Sequence, residues 1–213
     1  MEIQTLSLGP LGTNCYIVSK NNECLIFDPG GDANLIVQYV TKNKLTPKAI
    51  LLTHAHFDHI GAVDLLRKKY AISVYLHENE KDWLDDPSLN RSSLFFGRDG
   101  GIKTEKPEHI LTEGTIQIGA FSIEVIHTPG HSPGSVTFIF KEEKLIVSGD
   151  VLFQQGIGRT DLPEGSINEL ANSIVTKLYT LPNECIVYPG HGPNTTIGSE
   201  KASNPFTRQF YTE

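Results

Sequence analysis

The chain has 213 residues, enough for one large domain or two small ones with a well-formed core. Hydrophobic residues make up 38% and charged residues 20%, an ordinary globular composition, and no apolar run approaches the roughly 20 residues that a bilayer-crossing helix needs. The formal net charge of -7, with no basic patch, argues against nucleic acid as a partner, because Arg67-Lys68-Lys69 reads as the solvated end of a helix. Met1-Glu2-Ile3-Gln4 has neither the basic nor the apolar segment of a secretion signal, so a cytoplasmic protein with no membrane partner is expected. Cys15, Cys24 and Cys185 are an odd number at wide spacing. They fit buried reduced thiols rather than a disulfide framework or a zinc finger.

Taken in order, Glu2 to Leu8 and Asn14 to Ser19 read as strands about the turn Gly9-Pro10-Leu11-Gly12, and Glu23 to Phe27 follows a polar turn. Asp28-Pro29-Gly30-Gly31 stops that strand. Asp32 is placed to cap a helix whose apolar face is Leu35, Ile36, Tyr39 and Val40. Ala49-Ile50-Leu51-Leu52-Thr53 is continuously apolar up to its last residue, as a strand buried on both faces must be. A helix after His59 presents Val63, Leu65 and Leu66, and Ile72 to Leu76 is a further strand. The polar, Gly-rich span from Asp86 to Pro107 reads as a long loop, interrupted by Leu94-Phe95-Phe96. That triplet suits either an apolar flap beside a site or a plug in the local core. Strands are expected at Thr115 to Ile118, Phe121 to Ile126, Ser135 to Phe140, Lys144 to Ser148 and Cys185 to Tyr188. Ser166 with Glu169 forms a capping box for a helix through Leu178. Two successive sets of strands and helices suggest sheets covered by helices, an α/β class.

The chemistry concentrates in His54-Ala55-His56-Phe57-Asp58-His59, at the end of a buried strand and the start of an apolar helix. Three imidazoles and a carboxylate at such a junction are costly to desolvate unless something pairs with them, which sets a metal site against the alternative of an exposed His-rich turn. His131, Asp150 and His191 each follow an apolar strand and sit beside glycine, the setting in which α/β proteins gather their sites. His77, His109 and His127 fit no such pattern and read as ordinary histidines.

With Asp28 upstream, this series resembles the ligand set of the metallo-β-lactamase superfamily over essentially the whole chain. Thr128-Pro129-Gly130-His131-Ser132-Pro133-Gly134, Gly149-Asp150, Gly158-Arg159-Thr160-Asp161 and Tyr188-Pro189-Gly190-His191-Gly192 further resemble the glyoxalase II group, in its compact bacterial form. The resemblance implies a four-layered αββα sandwich in a single domain over residues 1–213, without the C-terminal helical substrate-binding region of full glyoxalase II. It implies two divalent metal ions: one held by His54, His56 and His131, the other by Asp58, His59 and His191, with Asp150 bridging and Asp28 orienting a ligand. Zinc is the metal expected, with iron or manganese as alternatives. Asp58 and Asp150 are the catalytic carboxylates it implies. The implied reaction is hydrolysis of a small-molecule thioester such as S-lactoylglutathione, by a hydroxide shared between the metals. Arg159 is a candidate substrate contact, set against a role stiffening its loop through Asp161. Persulfide dioxygenases, which use one iron, share the Gly158-to-Asp161 stretch and are the alternative of a different class. A lactonase asks the same of the site, and a non-enzymatic metal-binding protein would have shed ligands.

Overall fold

The computed structural model describes residues 1–97 and 100–210. The chain forms two compact units, residues 1–111 with 117–121 and residues 112–116 with 122–213. Together they give a mixed α/β fold with two six-stranded sheets.

In the first unit the sheet runs β1 (Glu2–Leu8), β2 (Thr13–Lys20), β3 (Glu23–Phe27), β4 (Thr46–Leu51), β5 (Ser73–His77), β6 (His109–Leu111). The first two pairings are antiparallel hairpins and the remaining three are parallel. Parallel pairing needs a crossover, which α1 (Ala33–Lys42) supplies between β3 and β4 and α3 (Val63–Tyr70) between β4 and β5. Ile36 and Val40 of α1 and Val63 and Leu66 of α3 pack with Ile17, Ile26, Ile50 and Val74 of the sheet. Burying a side chain of this kind stabilises the unit by roughly 1.5–3 kcal/mol. The run from Ala49 to Leu52 is fully buried, as its unbroken apolarity requires.

Several local expectations are corrected. Asp32 precedes α1 but does not cap it; its left-handed backbone turns Oδ2 to accept the Gly9 N–H at 2.8 Å. Leu35 and Leu65, read as core positions, are exposed. Arg67 is buried, and its guanidinium donates to the carbonyls of Glu105 and Lys106 at 3.1 Å. It therefore fastens the long loop to α3 instead of solvating a helix end. That loop contains a short helix, α4 (Ser92–Phe96), preceded by the one-turn α2 (Phe57–Ile60) in the histidine run.

In the second unit the sheet order is β14 (Thr195–Thr196), β13 (Ile186–Pro189), β10 (Leu145–Gly149), β9 (Val136–Phe140), β8 (Phe121–His127), β7 (Gly114–Ile118). β10 and β13 are parallel, whereas β8–β9, β9–β10 and β13–β14 are antiparallel. A two-stranded ribbon, β11 (Leu152–Phe153) with β12 (Gly156–Ile157), follows β10. Helix α5 (Ile167–Thr176) ends two residues earlier than expected and continues as one 3-10 turn. Ser166 caps it by accepting the Glu169 N–H, but the other half of the capping box is replaced: Ser166 N–H donates to Gly130 O at 2.7 Å. Leu170 and Ile174 of α5 pack with Ile139, Ile146 and Val187 of the sheet. Helix α6 (Ile197–Ser203) closes the unit. Among the described residues no helix is long and apolar enough to cross a membrane.

The three cysteines are free and buried. Burial pushes the Cys24 thiol up to about 12 and lifts Cys15 and Cys185 as well. Thiolate is the reactive form, so the native protein at pH 8 should react with a thiol reagent at none of them on a timescale of minutes, and at all three after denaturation. Fast labelling of folded protein would contradict this burial.

Candidate metal-binding residues

Each unit brings a set of metal-competent side chains to the C-terminal ends of its parallel strands. In the first unit β3 and β4 lie side by side, with Phe27 opposite Leu51, so Asp28 and the His54 run leave the sheet together. Asp28 takes a left-handed backbone (φ 46) and donates its N–H to Leu51 O. Its carboxylate, wholly buried, accepts the Thr53 N–H at Oδ1 (2.8 Å) and the Thr53 hydroxyl at Oδ2 (2.6 Å). The same Oδ2 lies 3.1 Å from His59 Nδ1.

These contacts decide proton positions. The Thr53 hydroxyl has one proton and gives it to Asp28. Towards His54 Nδ1, 3.1 Å away, it can only accept, so His54 carries its proton on Nδ1 and its lone pair on Nε2. Asp28 Oδ2 also stands 3.1 Å from His59 Nδ1, an electrostatic contact that draws this histidine to the carboxylate as well. One carboxylate thus reaches two histidines, His54 through the Thr53 hydroxyl and His59 by a 3.1 Å electrostatic contact, the kind of supporting group that orients imidazoles on metals.

His54 and His56 precede α2, whereas Asp58 and His59 lie within it; the run is therefore half extended and half helical. Ligand atoms of His54 and His56, of His54 and His59, and of Asp58 and His59 lie within 4.8 Å of each other. The Thr13 hydroxyl donates to Asp58 Oδ2 at 2.7 Å. Gly30 is required by close approach: a Cβ there would stand 1.7 Å from Asp58 O. Glu80, fully buried, accepts the Ala55 N–H at 2.5 Å and holds the run from its other side. Neither Thr13 nor Glu80 stood out in the sequence. The Phe57 ring packs on Phe95 (4.5 Å between centroids) and Phe96 (5.7 Å), while Leu94, Phe95 and Phe96 are all exposed. The triplet therefore covers the motif from outside and does not plug the core.

In the second unit β10 and β13 end together, with Gly149 opposite Pro189 and Gly190 N–H donating to Gly149 O at 2.9 Å, which brings Asp150 and His191 to adjacent strand ends. Asp150 Oδ2 lies 3.6 Å from His131 Nε2 and 3.6 Å from His191 Nε2. His131 follows β8, and its Nδ1 donates to Arg159 O at 2.8 Å, which again leaves the lone pair on Nε2. Helix α5 sets that loop, since Ser173 donates to Pro129 O and a Cβ on Gly130 would stand 2.2 Å from Leu170 N. Gly158 is equally confined, because its Cβ would meet Asp150 O at 1.9 Å. The Arg159 guanidinium forks onto Asp161, Nε to Oδ1 at 2.7 Å and Nη2 to Oδ2 at 2.8 Å, and holds that carboxyl down to about 2. The part of Arg159 that touches a candidate ligand is its main-chain carbonyl.

The remaining histidines have other tasks. His77 accepts the Asn79 N–H, His109 stacks on Tyr75 and His127 donates to Pro133 O. The donor set fits divalent metal ions: imidazoles, with the lone pair of His54 and of His131 on Nε2, beside buried carboxylates suit zinc, iron and related ions. Asp28→Ala should leave His54 and His59 without their common orienting group and weaken metal binding about ten- to a hundredfold. Competition against a chelator of known affinity measures this, and an unchanged affinity would contradict the role given to Asp28.

The model of the metallo-beta-lactamase superfamily matches residues 8–191. A probable metallo-hydrolase of Bacillus subtilis, YqgX, is 50% identical over 211 residues, 99% of either chain. The hydroxyacylglutathione hydrolase GloC of Haemophilus influenzae is 40% identical over 209 residues, covering 97% of this chain and 98% of that protein. Among solved structures, that of the B3 metallo-beta-lactamase BLEG-1 matches with a TM-score of 0.94 and 50% identity, over 97% of this chain and 99% of that one. Motif, strand-end placement and whole-chain similarity agree, and the chain belongs to the metallo-beta-lactamase superfamily.

Proposed function

We propose that the chain is a binuclear metallo-hydrolase that cleaves thioesters, with His54, His56, Asp58, His59, His131, Asp150 and His191 as its ligands. Seven donors exceed the three protein ligands of a catalytic zinc site and the four of a structural one, which favours two ions. The observation that carries the reading is Asp150. One of its oxygens stands equally far from His131 and His191, the histidines that the family resemblance assigns to different metals. A thioester is the proposed substrate because a relative that shares 40% of its residues is a hydroxyacylglutathione hydrolase.

Bound metal ions would supply Lewis acidity that activates water and polarises the substrate carbonyl. The chain's own part is positional. Asp28 acting through Thr53 holds His54 in the tautomer that presents Nε2, the Arg159 carbonyl does the same for His131, and Asp28 Oδ2 stands 3.1 Å from His59 Nδ1. Thr13 fixes one oxygen of Asp58. In the overall reaction the oxygen of water joins the acyl carbon, the C–S bond breaks and the sulfur leaves as a thiol. Thiolates depart readily, so no strong general acid is required. Exposed Phe95 and Phe96, packed on Phe57 within the motif, offer an apolar surface to shelter the acyl group.

A second reading is hydrolysis of a β-lactam amide, favoured by the likeness to a B3 metallo-beta-lactamase. Steady-state assays on S-lactoylglutathione, a neutral thioester and a β-lactam separate the two. The proposal expects thioester turnover that a chelator abolishes and zinc, iron or manganese restores. Asp150→Asn should lower kcat/KM on the best thioester about a hundred- to a thousandfold, on the scale of losing a group that stabilises the transition state electrostatically, and should release metal from both positions. Turnover of the β-lactam alone, or full thioester activity in the variant, would overturn the proposal.

A further inference from the structure

Glu200 lies in α6, beyond the last candidate ligand, and its side chain is wholly buried. A buried carboxylate is costly unless its oxygens are well supplied with donors. Those on Glu200 are. Oε1 accepts the Thr195 hydroxyl at 2.5 Å; Oε2 accepts the Gln155 N–H at 2.8 Å and the Asn204 side-chain amide at 2.9 Å. Asn204 donates as well to Gly156 O at 3.0 Å, and the Gln155 side chain donates to Ser203 Oγ at 2.8 Å.

The partners are informative by position. Gln155, with a left-handed backbone (φ 56), is at the tip of the ribbon β11–β12, which begins two residues after Asp150. The ribbon ends beside Gly158, where the backbone runs so close to Asp150 O that no Cβ fits. Thr195 lies four residues after His191, on β14, where it pairs with Val187 of β13. Between these anchors, the Phe153 ring of β11 stands edge-on to the His191 imidazole, 6.3 Å between centroids. His191 needs such support, because its side chain is 31% exposed whereas that of His131 is 3% exposed.

We infer that Glu200 is a positioning residue for the metal site. Its two carboxylate oxygens tie the ribbon after Asp150 to the strand after His191, and so fix Phe153 against His191 and the spacing of these two ligands. A carboxylate suits the task because it accepts from three segments at once without donating to any of them. This inference rests on the ligand assignment proposed above.

The test is metal release from the zinc-loaded protein to a chromogenic chelator, with His191→Ala marking which phase of release belongs to the His191 ion. In Glu200→Ala that same phase should weaken about tenfold or more, on the scale seen when a ligand's supporting group is removed, while the other phase, which shares only Asp150 with it, weakens less. Thr195→Val removes one bond only and should shift the same phase less, so the inference stays testable if Glu200→Ala does not fold. Wild-type release in both variants, or equal weakening of both phases in Thr195→Val, would overturn the inference. Wild-type protein that binds no zinc would instead overturn the metal assignment on which it rests.

Discussion

The buried carboxylate of Asp28 ties together the chain segments that leave β3 and β4, and the start of the histidine run depends on it. It ends β3, takes a left-handed backbone where the chain must turn sharply, and receives the amide and hydroxyl of Thr53 at the end of the neighbouring strand. Parallel pairing of β3 with β4 is what brings the two together. From this one anchor the proton position of His54 follows, because a hydroxyl that has spent its proton on a carboxylate can only accept, and the same oxygen stands 3.1 Å from His59 Nδ1. A sheet-level decision, parallel order at two adjacent strands, thereby becomes a statement about which nitrogen carries a lone pair.

The second unit reaches a similar end with other parts. Parallel pairing of β10 with β13 sets Asp150 and His191 on adjacent strand ends, and a main-chain carbonyl, that of Arg159, takes the place of a carboxylate in fixing His131. Backbone approaches that only glycine permits, at Gly130 and Gly158, keep α5 and the ribbon close to the ligand loops. Helix and sheet cores in both units are ordinary aliphatic packing. The strand-end loops are held by buried polar bonds, among them those of Asp28, Glu80 and Ser173.

Much of this was legible in the sequence where chemistry restricts residue type. Three histidines and an aspartate in six positions have few structural uses, and runs such as Ala49 to Leu52 announce their burial by having no polar face. Groups that support the ligands were not legible. Thr13 and Asp58 are 45 residues apart, as are Gln155 and Glu200, so no local pattern joins them. Asp32 and Arg67 misled for a related reason: short-range rules predicted a cap and a solvated end, but long-range partners, the Gly9 amide and the Glu105 and Lys106 carbonyls, took both side chains. Arg159 carried two readings, and its fork onto Asp161 is a local contact two residues away.

Hydrolysis and oxidation of a sulfur substrate differ in where the new oxygen originates, and this separates the proposed reaction from the iron dioxygenase alternative. The decisive measurement is turnover of a thioester by metal-loaded protein in oxygen-18 water, followed by mass spectrometry of the acid product, with dissolved oxygen recorded in the same vessel. The account predicts one heavy oxygen in each carboxylate formed and no oxygen consumption. An acid without the label, or product that forms only as oxygen disappears, would contradict it.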